Sequence, residues 1–303
     1  MHCRHRQNEC VLTRIVVFGR EQQITPEMRR TLVNWLVEVH FKFRFREPCL
    51  HLTIQLLDRY LAGNAVTRRK YQTVGVTAFM LGCKYEERHN PNLGDLSYIT
   101  DYSSSRGDII EMEKEMLQRL NFDMKHPKPT DFLERFSKAA RLESTNRNNQ
   151  QYTQSYSITL YFIDLVFLDE TLPHTRPSLV AAASIMATLR VLGRSDWSAH
   201  LAHYTTYSRE EVAVLADKLV ANGRASQATA LTLKYTSRRL GGNGEVLGSD
   251  GKPLNDGCLH VIKAYYSKLA AVAAPLQPFS AHFSHAHGAY DAHDDGHSDE
   301  GHH

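Results

Sequence analysis

The sequence predicts an all-α protein built as two tandem bundles of about five helices each. Three observations predict it. Apolar residues recur at helical spacing through nearly every segment between residues 25 and 240. The same order of helical segments starts again after Pro127 and Pro129. No strand-like alternation of any length competes. At 303 residues the chain is long enough for two cores plus tails.

The first helix is announced by Thr25 as N-cap, Pro26 at the first helical position and Glu27 at the positive helix end. Met28, Leu32, Trp35, Leu36, Val39 and Phe43 form its apolar stripe. A second helix is expected from about Cys49 to Leu61, with Leu50, Ile54, Leu57 and Leu61 inward and Gly63 as its stop. Thr67 is the expected cap of the third helix, Asn92 of a short fourth over Leu93 to Ile99, and Ser104 of a fifth that ends near Asn121. Pro127 and Pro129 close this unit.

The second unit begins with a helix from about Thr130 to Arg141, followed by the polar run STNRNNQQ (Ser144 to Gln151), read as a loop or insertion. A long apolar helix is expected from about Tyr152 to Leu168. In RPSLVAAASIMATLRVLG, Pro177 stands early, and Ala181, Ala182, Ala183 and Ser184 are small where another helix must approach closely. The segment corresponds to VGVTAFMLG in the first unit. A short helix should follow Trp197, and Ser208 with Glu211 makes a capping box for a helix up to about Val220. The resulting division is 1–24 as an N-terminal segment, 25–126 and 127–240 as the two bundles, and 241–303 as an extension. In the first segment Val11 to Phe18 is expected to form a small helix packed on the bundle. In the extension a helix is expected near 258–272, and the His/Asp-rich tail that follows should be disordered.

Composition excludes several classes of function. The longest apolar stretch, Leu179 to Leu189, is interrupted by Ser184 and Thr188 and is too short to span a bilayer. No secretory leader is visible, and the five cysteines, Cys3, Cys10, Cys49, Cys83 and Cys258, form no C-x-x-C pair, which fits free thiols in a reducing compartment. A formal net charge of +3 with mixed signs does not point to nucleic acid or membrane as the main partner. No phosphate-cradling Gly loop, H-E-x-x-H or nucleophile elbow occurs, which argues against an enzyme and against a cofactor. The tail histidines His285 and His287 have ligand chemistry but no supporting shell, so no metal is expected.

The informative residues are two charges on apolar stripes. Lys84 sits one turn after Leu81, bordering the face formed by Tyr71, Val74, Ala78, Leu81 and Tyr85. Glu113 lies one turn after Ile109 and one before Met116. Charged side chains in such places pair with each other, or stand at the rim of a surface that another protein completes.

Several motifs in order resemble one family. MRRTLVNWLVEV resembles the MRAILVDWL signature that opens the cyclin box, LLDRYL its second helix, GCKYEE its third, and YITD with MEKEMLQRLNF its fourth and fifth. The spacing from Met28 to Met124 keeps the family pattern without insertion. In the second unit PSLVAAAS and the set Trp197, Leu201, Tyr204, Thr205 and Tyr207 resemble mitotic B-type cyclins more than transcriptional ones. The resemblance implies two tandem cyclin boxes and a non-catalytic regulatory subunit of a cyclin-dependent Ser/Thr protein kinase in nucleus and cytoplasm.

By that resemblance, Lys84 and Glu113 hydrogen-bond main-chain groups beside the kinase C helix, and Leu81, Tyr85, Leu117, Phe122 and Met124 line the apolar pocket that receives it. Arg29 and Asp58 match an internal ion pair. Met28, Trp35, Glu38 and Gln72 match a patch that docks Arg-x-Leu peptides. Thr31 and Tyr71 replace aliphatic residues there and Arg30 a small one, so weaker or different peptide binding is expected. The competing readings are a transcription-related cyclin and a cyclin-fold general transcription factor. The latter expects a zinc ribbon and a strongly basic face, and leaves the Lys84 and Glu113 pattern unexplained.

Overall fold

The computed structural model describes residues 24–142, 145–146, 151–169, 172, 175–195, 197–225, 229–236 and 258–273. The expected helix over Val11 to Phe18 and the His/Asp-rich tail lie outside them. Among the described residues the chain forms twelve helices. The first five are α1 (Pro26–Phe43), α2 (Glu47–Gly63), α3 (Arg68–Glu86), α4 (Leu93–Ile99) and α5 (Arg106–Arg119). The next five are α6 (Pro129–Ala139), α7 (Gln154–Leu168), α8 (Pro177–Val191), α9 (Ala199–Thr205) and α10 (Arg209–Ala225). Two more, α11 (Thr229–Thr236) and α12 (Leu259–Ala273), follow the second bundle. None is long and apolar enough to cross a membrane.

Each bundle is organised around one central helix. In the first, α3 is buried continuously from Thr73 to Cys83 and packs on α2, α5 and α1. Gly82 explains how closely α2 and α3 approach. A Cβ at that position would stand 2.5 Å from Thr53 Oγ1 and 3.0 Å from the Cys49 carbonyl oxygen, so only glycine fits without displacing backbone. That approach leaves the free, buried thiols of Cys49 and Cys83 with 3.3 Å between their sulfurs. In the second bundle α8 takes the same part. Its small residues Ala181, Ala182, Ala183 and Ser184 are fully buried, and α6, α7 and α10 close over it. Burial of each large apolar side chain in these cores is worth about 1.5–3 kcal/mol.

Most helix ends follow the expected chemistry, with informative exceptions. Thr25 accepts from the Met28 N–H at 3.3 Å and Asn92 from the Asp95 N–H at 2.8 Å. Ser208 and Glu211 exchange bonds of 2.8 and 3.2 Å as a capping box, and the helix they start runs to Ala225 rather than Val220. Thr67 occupies its N-cap position with no side-chain cap bond. The cap of α5 is Ser105, not Ser104: Ser105 and Asp108 form a capping box, while Ser104 is buried and bonded to Thr73. The second helix starts at Glu47, two residues before Cys49, with Pro48 in its first turn. It stops without a left-handed glycine: Asn64 is extended, and its side-chain amide donates to the Tyr60 carbonyl. After α6, β1 (Thr145–Asn146) pairs antiparallel with β2 (Gln151–Tyr152), a short rung where a loop or insertion was expected, so Tyr152 belongs to the rung and the long helix starts at Gln154.

Candidate functional site

The end of α3 and the middle of α5 bring Lys84 and Glu113 together, with Nζ and Oε1 2.5 Å apart. Lys84 belongs to the last turn of α3, where a cation complements the helix dipole, and its side chain is 44% exposed; Glu113 is 18% exposed. The pair therefore stands at a surface, bonded to itself and still open to water. The neighbouring carboxylates of the KYEE run are committed elsewhere. Glu86 pairs with Lys128 at 3.0 Å, and Glu87 accepts from the Arg46 N–H at 2.7 Å.

Large apolar side chains on α3 and in the turn after α5 face solvent. Tyr85 is 48% and Phe122 67% exposed, and Leu117 and Met124 are half-buried against the core. Phe122 is thrown outward by the turn after α5, where Asn121 and Phe122 both adopt positive φ, 52° and 54°. Such conformations cost about 1–2 kcal/mol per non-glycine residue, so the surrounding turn is holding an aromatic ring where packing alone would not. Leu81 is 3% exposed and belongs to the core beneath this surface; it supports the surface rather than adding area to it.

Arg29 and Asp58 meet inside the molecule. Arg29 is 1% exposed and makes two parallel bonds of 2.7 Å to the Asp58 carboxylate. Its remaining Nη1 donates to the Phe167 carbonyl at 2.9 Å, near the end of α7 in the second bundle, a contact that the stripe pattern does not reveal. The residues expected to dock peptides lie on α1 and α3. Met28 and Trp35 are half-buried and pack on the core, Glu38 accepts from Asn34 at 3.3 Å, and Gln72 accepts from the Ser103 hydroxyl at 3.0 Å. Thr31 bonds within its own helix, to the Glu27 carbonyl. Tyr71 is buried with its hydroxyl unpaired among the described residues, and burial pushes its phenol well above the ordinary range.

A second polar cluster was missed by reading along the chain. Lys234 of α11 is fully buried and donates to Glu47 of α2 at 2.6 Å and to Asp164 of α7 at 2.8 Å. Asp164 also accepts from the Tyr235 hydroxyl at 2.7 Å, and its other oxygen lies 3.2 Å from His51 Nε2. Glu47, His51 and Asp164 offer donor atoms within 4.8 Å of one another, the chemistry of a metal centre, yet the Lys234 ammonium already bonds both carboxylates and supplies the positive charge. Burial raises Glu47. Burial also acts to raise Asp164, but the Lys234 charge and the His51 bond outweigh it and hold that carboxyl below its usual range. The one visible clue is Asp164 itself, alone in the apolar run YFIDLVFL.

His40, fully buried on α1, points Nε2 at the Arg46 carbonyl, 3.0 Å away. Burial, then the Lys234 charge, holds it down to about 3. The unfolded chain therefore takes up a proton near pH 6.5 that the folded chain refuses. Stability is complete above that pH and declines on acidification by up to ~1.4 kcal/mol per pH unit. Replacing the ring by an amide, His40→Gln, is expected to flatten the loss between about pH 6.5 and pH 5 by roughly 2 kcal/mol. Urea unfolding at several pH values measures it; an unchanged pH slope in the variant would remove His40 as the source.

Comparison with known proteins falls on the same regions. The family description "Cyclin, N-terminal domain" matches residues 1–125, and "Cyclin, C-terminal domain" matches residues 127–243. A G2/mitotic-specific cyclin-B of Patella vulgata is 36% identical over 226 residues, covering 74% of this chain and 53% of that protein. A G2/mitotic-specific cyclin-B2 of Bos taurus is 37% identical over 227 residues, covering 73% of this chain and 54% of that protein. The chain thus spans about half the length of the curated relatives it matches. Among solved structures, a viral cyclin from Herpesvirus saimiri superposes with a TM-score of 0.63 at 20% identity, over 76% of this chain and 98% of that one, which concerns the fold alone.

Proposed function

This chain belongs to the cyclin family, and from that premise we propose that it is a non-catalytic regulatory subunit that binds and activates a cyclin-dependent Ser/Thr protein kinase during mitosis. The observation that carries the reading is the Lys84–Glu113 pair, 2.5 Å apart at the surface, together with the exposed rings of Tyr85, next to Lys84 on α3, and Phe122 in the turn after α5. A cation and an anion at a rim can bond main-chain carbonyl and N–H groups of a docked helix end, while the apolar side chains around them bury its non-polar face. Charge-assisted bonds across a desolvated seam are stronger than neutral ones. The burial supplies most of the affinity, and the two charges set register and orientation.

Activation then follows from differential binding. A kinase needs its β3 lysine paired with a C-helix glutamate and its activation loop moved aside. A subunit whose surface fits only the assembled C helix shifts the population toward that arrangement without touching ATP. The identity of the relatives as G2/mitotic-specific cyclins supports a mitotic role; action in nucleus and cytoplasm is part of the proposal. Adding the purified chain to monomeric cyclin-dependent kinases tests the proposal: phosphorylation of a standard substrate should rise with one of them. If none is stimulated and none co-purifies, the proposal fails. Recovery of transcriptional kinases, or of DNA and polymerase components, would favour the other readings.

Peptide docking at Met28, Trp35, Glu38 and Gln72 is part of the proposal, in weakened form. Thr31 and the unpaired Tyr71 hydroxyl replace apolar area that supplies about 25 cal/mol per Å², so an Arg-x-Leu peptide should bind well below the affinity of an aliphatic groove. Calorimetric titration checks it, and no binding at millimolar peptide would remove the patch from the proposal.

A further inference from the structure

We propose that α11 is a latch that fixes the two bundles in one mutual placement, held shut by the Lys234 ammonium. Its eight residues lie between helices of both bundles. Lys234 bonds Glu47 of α2 and Asp164 of α7, residues separated by more than a hundred positions in sequence. On one side the Ala230 N–H faces the Asn34 side-chain oxygen of α1 at 3.4 Å. On the other the Tyr235 ring meets Tyr161 of α7 edge-on, with centroids 5.4 Å apart, and its hydroxyl donates to Asp164. Leu231 and Tyr235 are buried, whereas Leu233 faces solvent, so one stripe of α11 docks and the other is free.

Two physical arguments make this a switchable element rather than ordinary packing. The described part of α11 is held by one buried stripe, and helices in proteins draw most of their stability from tertiary packing of such a face, so undocking removes what holds it. The charge arithmetic is also one-sided. With Lys234 in place, two buried carboxylates share one buried cation. With Lys234 withdrawn, Glu47 and Asp164 face each other in a buried site already shared with His51, and the two bundles repel along that seam. The latch is therefore closed strongly by one side chain, and its loss opens the seam instead of leaving a neutral gap. Glu47 Oε1 and His51 Nδ1 are buried and without partners among the described residues, so the cluster holds polar capacity that docking leaves unused.

The inference is independent of the kinase proposal, because its test is hydrogen exchange on the full chain. In Lys234→Ala, amides of α11 are expected to exchange at least about tenfold faster, the fold-change for ~1.4 kcal/mol of lost protection, while α3 and α8 stay protected. Propylammonium replaces the missing carbons and charge, so adding it should restore α11 protection in the variant and leave the natural chain unchanged. If Lys234→Ala fails to fold, the triple variant Lys234→Met, Glu47→Gln, Asp164→Asn should regain a folded state, because the uncompensated charge is gone. Unchanged α11 exchange in Lys234→Ala overturns the latch. So does a triple variant no better folded than the single one, or protection that propylammonium does not restore.

Discussion

Lys84→Ala combined with Glu113→Ala is expected to abolish kinase stimulation while leaving the melting temperature within a few degrees of the natural chain. The two halves of that expectation come from two different magnitudes. Within the free chain the pair is solvent-accessible, with Lys84 44% exposed, and exposed pairs contribute about 0.2–1 kcal/mol to folding. Nothing buried is orphaned when both are cut back to alanine. At an interface the same groups become desolvated, and losing one partner of a buried charge-assisted bond costs roughly 2–5 kcal/mol. The lower figure alone is about thirtyfold in affinity, and two such losses approach a thousandfold. Thermal melting and kinase stimulation measured on the same preparation separate the outcomes. A double variant with full activity would remove the mechanism, and one that unfolds would mean the pair is a fold element after all.

How much of this could be read along the chain depends on distance in sequence. The stripes that set α1, α3 and α5 repeat every three or four residues, so a local window contains the information, and the two-bundle architecture follows from its repetition. The pairing of Lys84 with Glu113 spans 29 residues, but both ends are marked by the same local anomaly, a charge bordering an apolar stripe. Caps were legible to within a residue, because Ser104 and Ser105 offer the same hydroxyl and only the fold decides which one is buried. The Lys234 cluster was not legible. Its members come from α2, α7 and α11, separated by 70 and 187 positions, and Lys234 sits in TALTLKYT, where apolar and hydroxyl residues mix without a marked stripe. Phe122 was named from its place in a motif; the positive φ that turns its ring outward leaves no trace in residue type.

Arg29→Ala is expected to be the most destabilising single change in the first bundle, and its effect should exceed that of an ordinary surface ion pair severalfold. Arg29 is 1% exposed and its guanidinium serves three acceptors: both Asp58 oxygens at 2.7 Å and the Phe167 carbonyl at 2.9 Å. Truncation leaves a carboxylate with no cation, a carbonyl with no donor, and a void where the side chain packed. Breaking a buried pair on one side costs roughly 3–5 kcal/mol. For a chain of this size each kcal/mol corresponds to about 2–4 °C, so the melting temperature should fall by roughly 6–20 °C. Because Phe167 belongs to α7, the loss also loosens the first bundle from the second, and kinase stimulation should fall with it. Asp58→Asn is the informative companion. It keeps an acceptor for Arg29 while removing the charge, and should lose less than Arg29→Ala; the double variant should lose less than the sum of the two, since each change removes the other's penalty. Strict additivity, or activity that drops while the melting temperature stays put, would show that Arg29 acts at a partner surface and not inside the fold.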